Sequence, residues 1–418
     1  MRIGYACLTL GNPDIRYRKI RLQFADVPRL REVCLHNLNM LERAVQYNIK
    51  NNIGLFRMTS DLIPFASAID YPFSWKEAYR EQFKTIGETI KRSGMRVSMH
   101  PGQYTVLNSP TSNIVTRAVT DISYHCDVLD LLGCDASCKI ILHVGGVYGN
   151  KAEAVKRFIR NFETLPSRIR NRIAIENDQR CFTAEEVLDL AKYLKLPAVF
   201  DNLHHAINPS VTHHSDAEWI ALFAETWKKS DGKQKIHYAQ QAEGKRVGAH
   251  SDTITASAFV TFCDSLKNHD IDIMLEVKDK DLSAIKCMHC MTTKPSVQLL
   301  EQDWAKYKYN VLEHSPNSYR LIRRLLGDKN KYPAFEFFAL IEESMKREPE
   351  IGNAVNAAEH VWGYYKKNAT NAQVEQFFNL IEAVQRGEKK TALLKKYLYR
   401  MQKQYRNHYL SESYYFIL

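Results

Sequence analysis

Six stretches of this 418-residue chain each bring a histidine or a carboxylate to the end of, or into, a short apolar run of β-type composition: His100, His143, Glu176, Asp201, His237 and Glu276. Imidazole and carboxylate together form the donor set of Mn²⁺ and Zn²⁺ sites, and no thiolate stands among them. One histidine on a strand is usually a satisfied core residue. Six ionisable groups on six successive strands do not fit that explanation, because a buried charge without a partner or a metal is strongly destabilising. His204 follows Asp201 by three residues, and His250 lies in the loop after the run that holds His237. This is more donor capacity than one tetrahedral zinc uses, so two or three divalent ions are expected. Clustered metals activate water and stabilise the leaving oxygen of a phosphodiester, which makes phosphoryl hydrolysis the natural reaction class. His125, His205, His213, His214, His269 and His289 fall away from the strand ends and read as bystanders. Lys235 precedes His237 by two residues and shares its face of the strand. An ammonium among metal ions is repelled, so Lys235 is deprotonated, modified or paired with a carboxylate.

These groups meet only if the fold makes their strand ends converge. The runs Arg2–Cys7, Leu55–Thr59, Met95–His100, Lys139–Val144, Arg172–Glu176, Ala198–Asp201, Lys235–Ala239 and Ile271–Val277 read as strands. Amphipathic segments between them, Leu30–Tyr47, Lys76–Arg92, Ala152–Phe162, Ala184–Leu194 and Ala217–Lys228, read as helices. Eight strands alternating with helices predict an α/β fold, a TIM (β/α)8 barrel, whose active site lies at the C-terminal ends of its strands. A doubly wound open sheet is the competitor, but the first run lacks the Gly-x-Gly-x-x-Gly turn that would support a dinucleotide fold. Past Lys294 the strand signal stops, and Asp303–Leu418 reads as an all-α C-terminal extension, so the predicted domains are 1–294 and 303–418. Within the extension, Arg386 to Arg406 hold eight lysines and arginines against Glu388 alone. A solvated helix face is the default for such a run, while the interleaved Tyr397, Tyr399 and Tyr405 are compatible with a nucleic-acid contact.

Hydrophobic residues make up 45% of the chain and charged ones 25%, which argues against a disordered or fibrous protein. No run approaches the apolar length of a membrane span, and Met1–Asn12 is too short for a signal peptide, so a cytoplasmic protein without membrane attachment is expected. The 58 basic against 47 acidic residues, net +11, suit a polyanionic partner without naming it. Nine cysteines without a secretory signal read as reduced thiols, and Cys287-Met288-His289-Cys290 lacks the second pair that a structural zinc site needs.

The segments Arg57-Met58-Thr59-Ser60-Asp61-Leu62-Ile63-Pro64, His100-Pro101-Gly102-Gln103-Tyr104-Thr105, His143-Val144-Gly145-Gly146-Val147-Tyr148-Gly149-Asn150-Lys151, Ile175-Glu176-Asn177-Asp178, Lys235-Ile236-His237 and Leu275-Glu276-Val277-Lys278 resemble, in order, those of the ultraviolet-damage endonucleases. The resemblance covers about residues 1 to 290. It implies a DNA repair nuclease that nicks damaged double-stranded DNA immediately 5′ of cyclobutane pyrimidine dimers and 6-4 photoproducts. It implies up to three metal ions, manganese foremost with zinc or magnesium as alternatives, held by His100, His143, Glu176, Asp201, His204, His237, His250 and Glu276. Lys235 falls on a lysine that can be carboxylated, and with Glu176 and His237 makes up the expected catalytic set. Gln103 and Tyr104 fall on the pair that probes the gap left by the flipped-out lesion, and Tyr5 on an aromatic near the lesion pocket. Asp61 stands where some members place a histidine ligand. The helical extension looks similar to an uncharacterised domain of other bacterial proteins. A monomer is expected. An abasic-site nuclease on the same barrel is the nearest alternative, ahead of a metal-dependent sugar isomerase and of a non-catalytic damage-binding module.

Overall fold

The computed structural model describes residues 1–67, 71–266 and 269–418. Eight strands appear in the expected order: β1 (Arg2–Ala6), β2 (Leu55–Arg57), β3 (Arg96–Ser98), β4 (Ile140–His143), β5 (Ile173–Glu176), β6 (Ala198–Val199), β7 (Lys235–Tyr238) and β8 (Asp272–Leu275). Every ladder is parallel, and the two hydrogen-bonded sets run β3-β2-β1-β8-β7 and β4-β5-β6. Two parallel bridges, Met99 with Ile140 and Asp201 with His237, join these sets into a closed eight-stranded barrel. Apart from β5, which ends at Glu176 as expected, the strands stop short of their expected C-terminal ends, and isolated bridges continue the pairing beyond β3 and β6.

The helices between the strands begin where local chemistry satisfies their first amide groups. Asp26 caps α1 (Val27–Lys50) by accepting from Arg29 N, with a proline in the first turn. The segment expected as one helix over Lys76–Arg92 is divided at Tyr79, whose backbone leaves helical geometry, and its main length is α2 (Arg80–Ser93). The Tyr79 hydroxyl donates to the Arg31 carbonyl, so a tertiary tie accompanies the break. α3 (Ser112–Leu131) follows β3. Asn150 caps α4 (Lys151–Glu163), and capping boxes open α5 (Ala184–Leu194, Thr183 with Glu186) and α6 (Asp216–Ala224, Ser215 with Glu218). α6 stops four residues before the expected Lys228.

Buried polar groups tie the N-terminal ends of the strands together. Asp272 accepts from Arg96 Nη1 at 3.0 Å and from Arg2 Nη1 at 3.2 Å, while Lys139 Nζ donates to Asp231 at 2.6 Å. Asp272 lies at the start of β8 and Arg96 at the start of β3, so this ion pair sits at the end of the barrel opposite the mouth.

The chain divides into two compact units: Met1–Thr9, Asp14–Ile254 and Cys263–Ile285 form the first, and Leu10–Pro13, Thr255–Phe262 and Lys286–Leu418 the second. The second unit includes the helices α7 (Val297–His314), α8 (Pro316–Leu325), α9 (Ala334–Met345), α10 (Ile351–Trp362), α11 (Asn371–Gln385) and α12 (Ala392–Tyr405). Its core is aromatic: the Trp362 and Phe377 rings stack with centroids 4.4 Å apart, beside buried Tyr365, Tyr397 and Leu398. Among the described residues, no helix is long and apolar enough to cross a membrane.

Candidate active site and metal centre

β4, β5 and β7 carry His143, Glu176 and His237, while His100, Asp201 and Glu276 stand one or two residues beyond β3, β6 and β8. All six therefore reach the same mouth. Glu176 is their hub. Its Oε2 lies 3.0 Å from His100 Nε2 and 3.9 Å from His143 Nε2, and its Oε1 lies 2.8 Å from His237 Nδ1 and 3.6 Å from His204 Nδ1. His204 Nδ1 is also 3.8 Å from Asp201 Oδ1. Glu276 Oε1 sits 3.3 Å from His237 Nδ1 and is held by Arg57 Nη1, and its Oε2 is 3.8 Å from His250 Nε2. His100, Glu176 and His237 form one group whose ligand atoms lie within 4.8 Å of one another, and Glu176, Asp201 and His204 form another.

The donor set fits divalent metal. Asp201 Oδ2 is buried and has no hydrogen-bond partner among the described residues, although its residue belongs to the second donor group. Buried polar atoms are normally satisfied, and a bound cation would satisfy this one. His100 Nδ1 meets the Pro101 carbonyl at 3.0 Å, which requires N–H at that position and leaves Nε2 bare in the neutral ring. The same ring's Nε2 lies 3.0 Å from Glu176 Oε2, within hydrogen-bond reach when it carries a proton and placed to share a cation with that carboxylate when it does not. The Asn177 carbonyl orients His204 in the same way, from 3.0 Å.

Electrostatics agree with a site prepared for cations. Burial opposes ionisation of Glu176, but His237 and His143, with hydrogen bonds from His100 and His237, hold its carboxyl well below the usual range. Glu276 is likewise lowered: burial opposes its charge, and Arg57 and His237 more than offset this. Burial pushes Asp201 up to about 6 against the pull of His204, with Glu176 and Glu276 adding to the rise. His204 is raised to about 9: burial works against its proton, but Asp201, Glu176 and Glu276 retain it. Burial lowers His143 to about 4. Lys235, fully buried, is pushed well down by burial and then by Arg96 and Arg57, with Asp272 and Glu176 opposing.

Positioning residues surround the donors. The Asn177 side chain donates to the Asp201 carbonyl at 3.0 Å and accepts from Asp201 N at 2.9 Å. Asn202 makes the same two-point clip on Ala239, at 3.0 and 2.8 Å. These amides tie β5 to β6 and β6 to β7 where the strand ladders have ended. His125, expected to be a bystander, is buried and meets Ser60 Oγ at 2.9 Å, and that hydroxyl donates to the His100 carbonyl at 3.3 Å. Arg57, Asn177 and Asn202 were not singled out as site residues from the sequence. A signal existed for the two asparagines: each directly follows a carboxylate at a strand end.

Gln103 and Tyr104 are exposed, Tyr104 by 75%, in the loop that follows His100. With Phe65, Arg117 and Tyr148 they line a groove of about 840 Å³. Tyr148 adopts φ +49°, a left-handed conformation that is unfavourable for a residue with a side chain, in the loop after His143. Tyr5 is fully buried on β1, and its hydroxyl bonds Thr9 at 2.6 Å and Asn48 at 2.9 Å, so any part it takes near a lesion pocket is through the packing beneath it and not through an exposed face. Asp61 is half exposed and pairs with Lys19 at 3.2 Å. His250 is at the margin, with Glu276 as its nearest carboxylate.

A family model described as UV-endonuclease UvdE matches residues 1–308. The chain belongs to this family. The UV DNA damage endonuclease of Clostridium perfringens (strain 13 / Type A) is 35% identical over 399 residues, covering 94% of this chain and 95% of that protein. The UV DNA damage endonuclease of Bacillus cereus (strain Q1) is 36% identical over 263 residues, 62% of this chain and 82% of that one. The crystal structure of SacUVDE, 36% identical, superposes with a TM-score of 0.64 over 69% of this chain and 96% of its own. Residues 308–418 of this UV-endonuclease family member match a model described as a protein of unknown function (DUF1722).

Proposed function

We propose that this chain is a DNA repair endonuclease that cuts the phosphodiester bond immediately 5′ of ultraviolet photoproducts. The observation that carries this is the convergence of His100, His143, Glu176, Asp201, His204, His237 and Glu276 on one mouth, where ligand atoms of His100, Glu176 and His237 and of Glu176, Asp201 and His204 lie within 4.8 Å of one another. These residues, with His250 at the margin, would hold up to three divalent ions, with Mn²⁺ as the favoured metal and Zn²⁺ or Mg²⁺ as alternatives. When bound, such ions supply an activated water and stabilise charge on the phosphate and the leaving oxygen.

The chain's own residues set the geometry for that chemistry. Glu176 keeps His100 and His237 in one orientation, Asn177 fixes Asp201 and His204 from behind, and Arg57 holds Glu276. Burial among Arg96 and Arg57 favours the neutral amine of Lys235, the form that adds no repulsion to cations and that takes up carbon dioxide as a carbamate. Gln103 and Tyr104 lie on the exposed loop next to His100, where an amide and a ring can enter the gap left by unstacked bases. Damaged bases unstack at lower cost than intact ones, so this gap-filling favours lesions without reading sequence.

The test is nicking of defined dimer, 6-4 and abasic duplexes by the full chain with Mn²⁺, alongside Glu176→Gln. The expected result is a cut on the 5′ side of dimers, lost in the variant while lesion binding persists. A metal-loaded protein that leaves dimers intact and cuts only abasic duplexes would replace this function with abasic-site cleavage, and unaltered cutting by Glu176→Gln would remove Glu176 from the centre.

A further inference from the structure

The second unit concentrates unpaired positive charge on one groove. Of the basic residues between Arg386 and Arg406, Arg386 pairs with Glu382 and Glu388, and Lys395 pairs with Glu313 at 2.7 Å. Lys389, Lys396 and Arg400 are exposed and make no ion pair among the described residues. These three cations line one side of a groove of about 490 Å³, and Glu375, Gln376 and Asn379 of α11 line the other. Lys396 and Arg400 are four residues apart on α12, so at 1.5 Å per residue they are stepped by about 6 Å along the helix, with Lys389 continuing the row beyond its N-terminal end. Two cations stepped along the helix, with a third from the segment before it on the same groove, suit a chain of anions better than a single small anion.

The tyrosine hydroxyls and the outer ring of this segment are already engaged. The Tyr397 hydroxyl donates to the Gln373 carbonyl at 2.7 Å, that of Tyr405 to Gln373 Oε1 at 2.7 Å, and the Tyr399 ring packs on Phe416 with centroids 5.6 Å apart. Tyr397, though it lines the groove, is buried and lies under Arg400 at 5.5 Å, so its ring supports a cation and offers no stacking face. The exposed polar groups of the groove are the cations, Glu375 and two neutral amides, chemistry that contacts phosphates and sugars without reading bases.

We propose that this groove binds the sugar-phosphate backbone of duplex DNA, giving the nuclease a second, lesion-independent hold on its substrate. The choice of DNA over another polyanion rests on the UV-endonuclease function proposed above, and on charge complementarity between the row of cations and a strand of phosphates. A contact of this kind raises affinity for damaged and intact duplex alike and leaves the cutting step unchanged.

The experiment uses the full chain carrying Lys389→Gln, Lys396→Gln and Arg400→Gln together, with Glu375→Gln as an opposite variant. Binding to an undamaged duplex is measured as a function of salt, and nicking of a dimer duplex is measured from low to saturating DNA. At about 0.9 per neutralised phosphate, three lost contacts lower the slope of log affinity against log salt by about 2.7. The triple variant is expected to show that change, an equal loss of affinity for damaged and intact duplex, a raised KM and an unchanged kcat, with an unaltered melting temperature. Glu375→Gln is expected to bind more tightly, because it removes the one carboxylate facing the row. A wild-type salt slope and affinity in the triple variant would overturn the proposal and leave an acidic protein segment as the groove's occupant. Loss of affinity confined to the damaged duplex would overturn it in favour of a lesion contact. Failure of the wild-type chain to nick dimers would instead refute the proposed activity, while the salt slope would still report on the groove.

Discussion

At the scale of single residues, His204 shows how the site's charges act before metal arrives. Its folded pKa of about 9 lies above the roughly 6.5 of a free imidazole, so the folded metal-free protein holds a proton that the unfolded chain gives up in that interval. The stabilisation from this proton is complete below about pH 6.5 and is lost as pH rises through about 9. Coordination needs the same nitrogen system neutral, so metal binding near pH 7 must expel the proton. In chelator-treated protein, the melting temperature of wild type is therefore expected to fall between pH 6.5 and 9.5 more than that of His204→Asn. Calorimetry of Mn²⁺ binding in buffers of different ionisation enthalpy is expected to register about one more released proton for wild type than for the variant, since that proton is His204's. Equal pH slopes and equal proton release would show that His204 is neutral in the free protein.

At the scale of elements, the two ends of the barrel use charge differently. At the mouth, donor groups face one another with unsatisfied atoms, whereas at the other end Arg96 is fully used by Asp272, the Ser137 carbonyl and the Asp231 carbonyl. Asp272 is completely buried, so Asp272→Ala strands Arg96 without its counter-charge. Removing one partner of a buried ion pair destabilises by about 3–5 kcal/mol. Chemical denaturation should show a loss of that size with the same m-value, and a loss below about 1 kcal/mol would mean that water enters and solvates Arg96. The asymmetry is what a barrel enzyme requires: stability residues at the N-terminal ends of its strands, chemistry at the C-terminal ends.

For the whole molecule, closure of the barrel and occupation of the site are coupled, because the donors come from six different strands and ions bound there favour the folded state alone. At metal concentrations about 100 times the dissociation constant, binding adds about 2.7 kcal/mol of stability. Chelation is therefore expected to lower the melting temperature of the full chain, and added Mn²⁺ to restore it. A melting temperature indifferent to both would mean that the mouth binds metal too weakly to matter for folding.

Several parts of this architecture were legible in the residues because their signals are local. Apolar runs alternating with amphipathic segments placed the eight strands, and capping patterns such as Thr183 with Glu186 mark where helices start. Ligand identity was legible too, since ionisable groups at strand ends contradict core packing unless something pairs with them. Roles that depend on partners distant in the chain were not. Arg57 became part of the site only because Glu276, more than two hundred residues later, lies beside it. Tyr5 matched a family position, yet its surroundings in the folded barrel bury it. The tyrosines of α12 are interleaved with lysines in the sequence, but the helix turns them onto Gln373 and Phe416, while Lys396 and Arg400 stay outward. The sequence alone determined which chemical groups this protein has to spend and the order of the elements carrying them. Tertiary structure decided which groups meet, which are buried and which atoms go without a partner, because those properties arise only where strands and helices remote in the chain pack against one another.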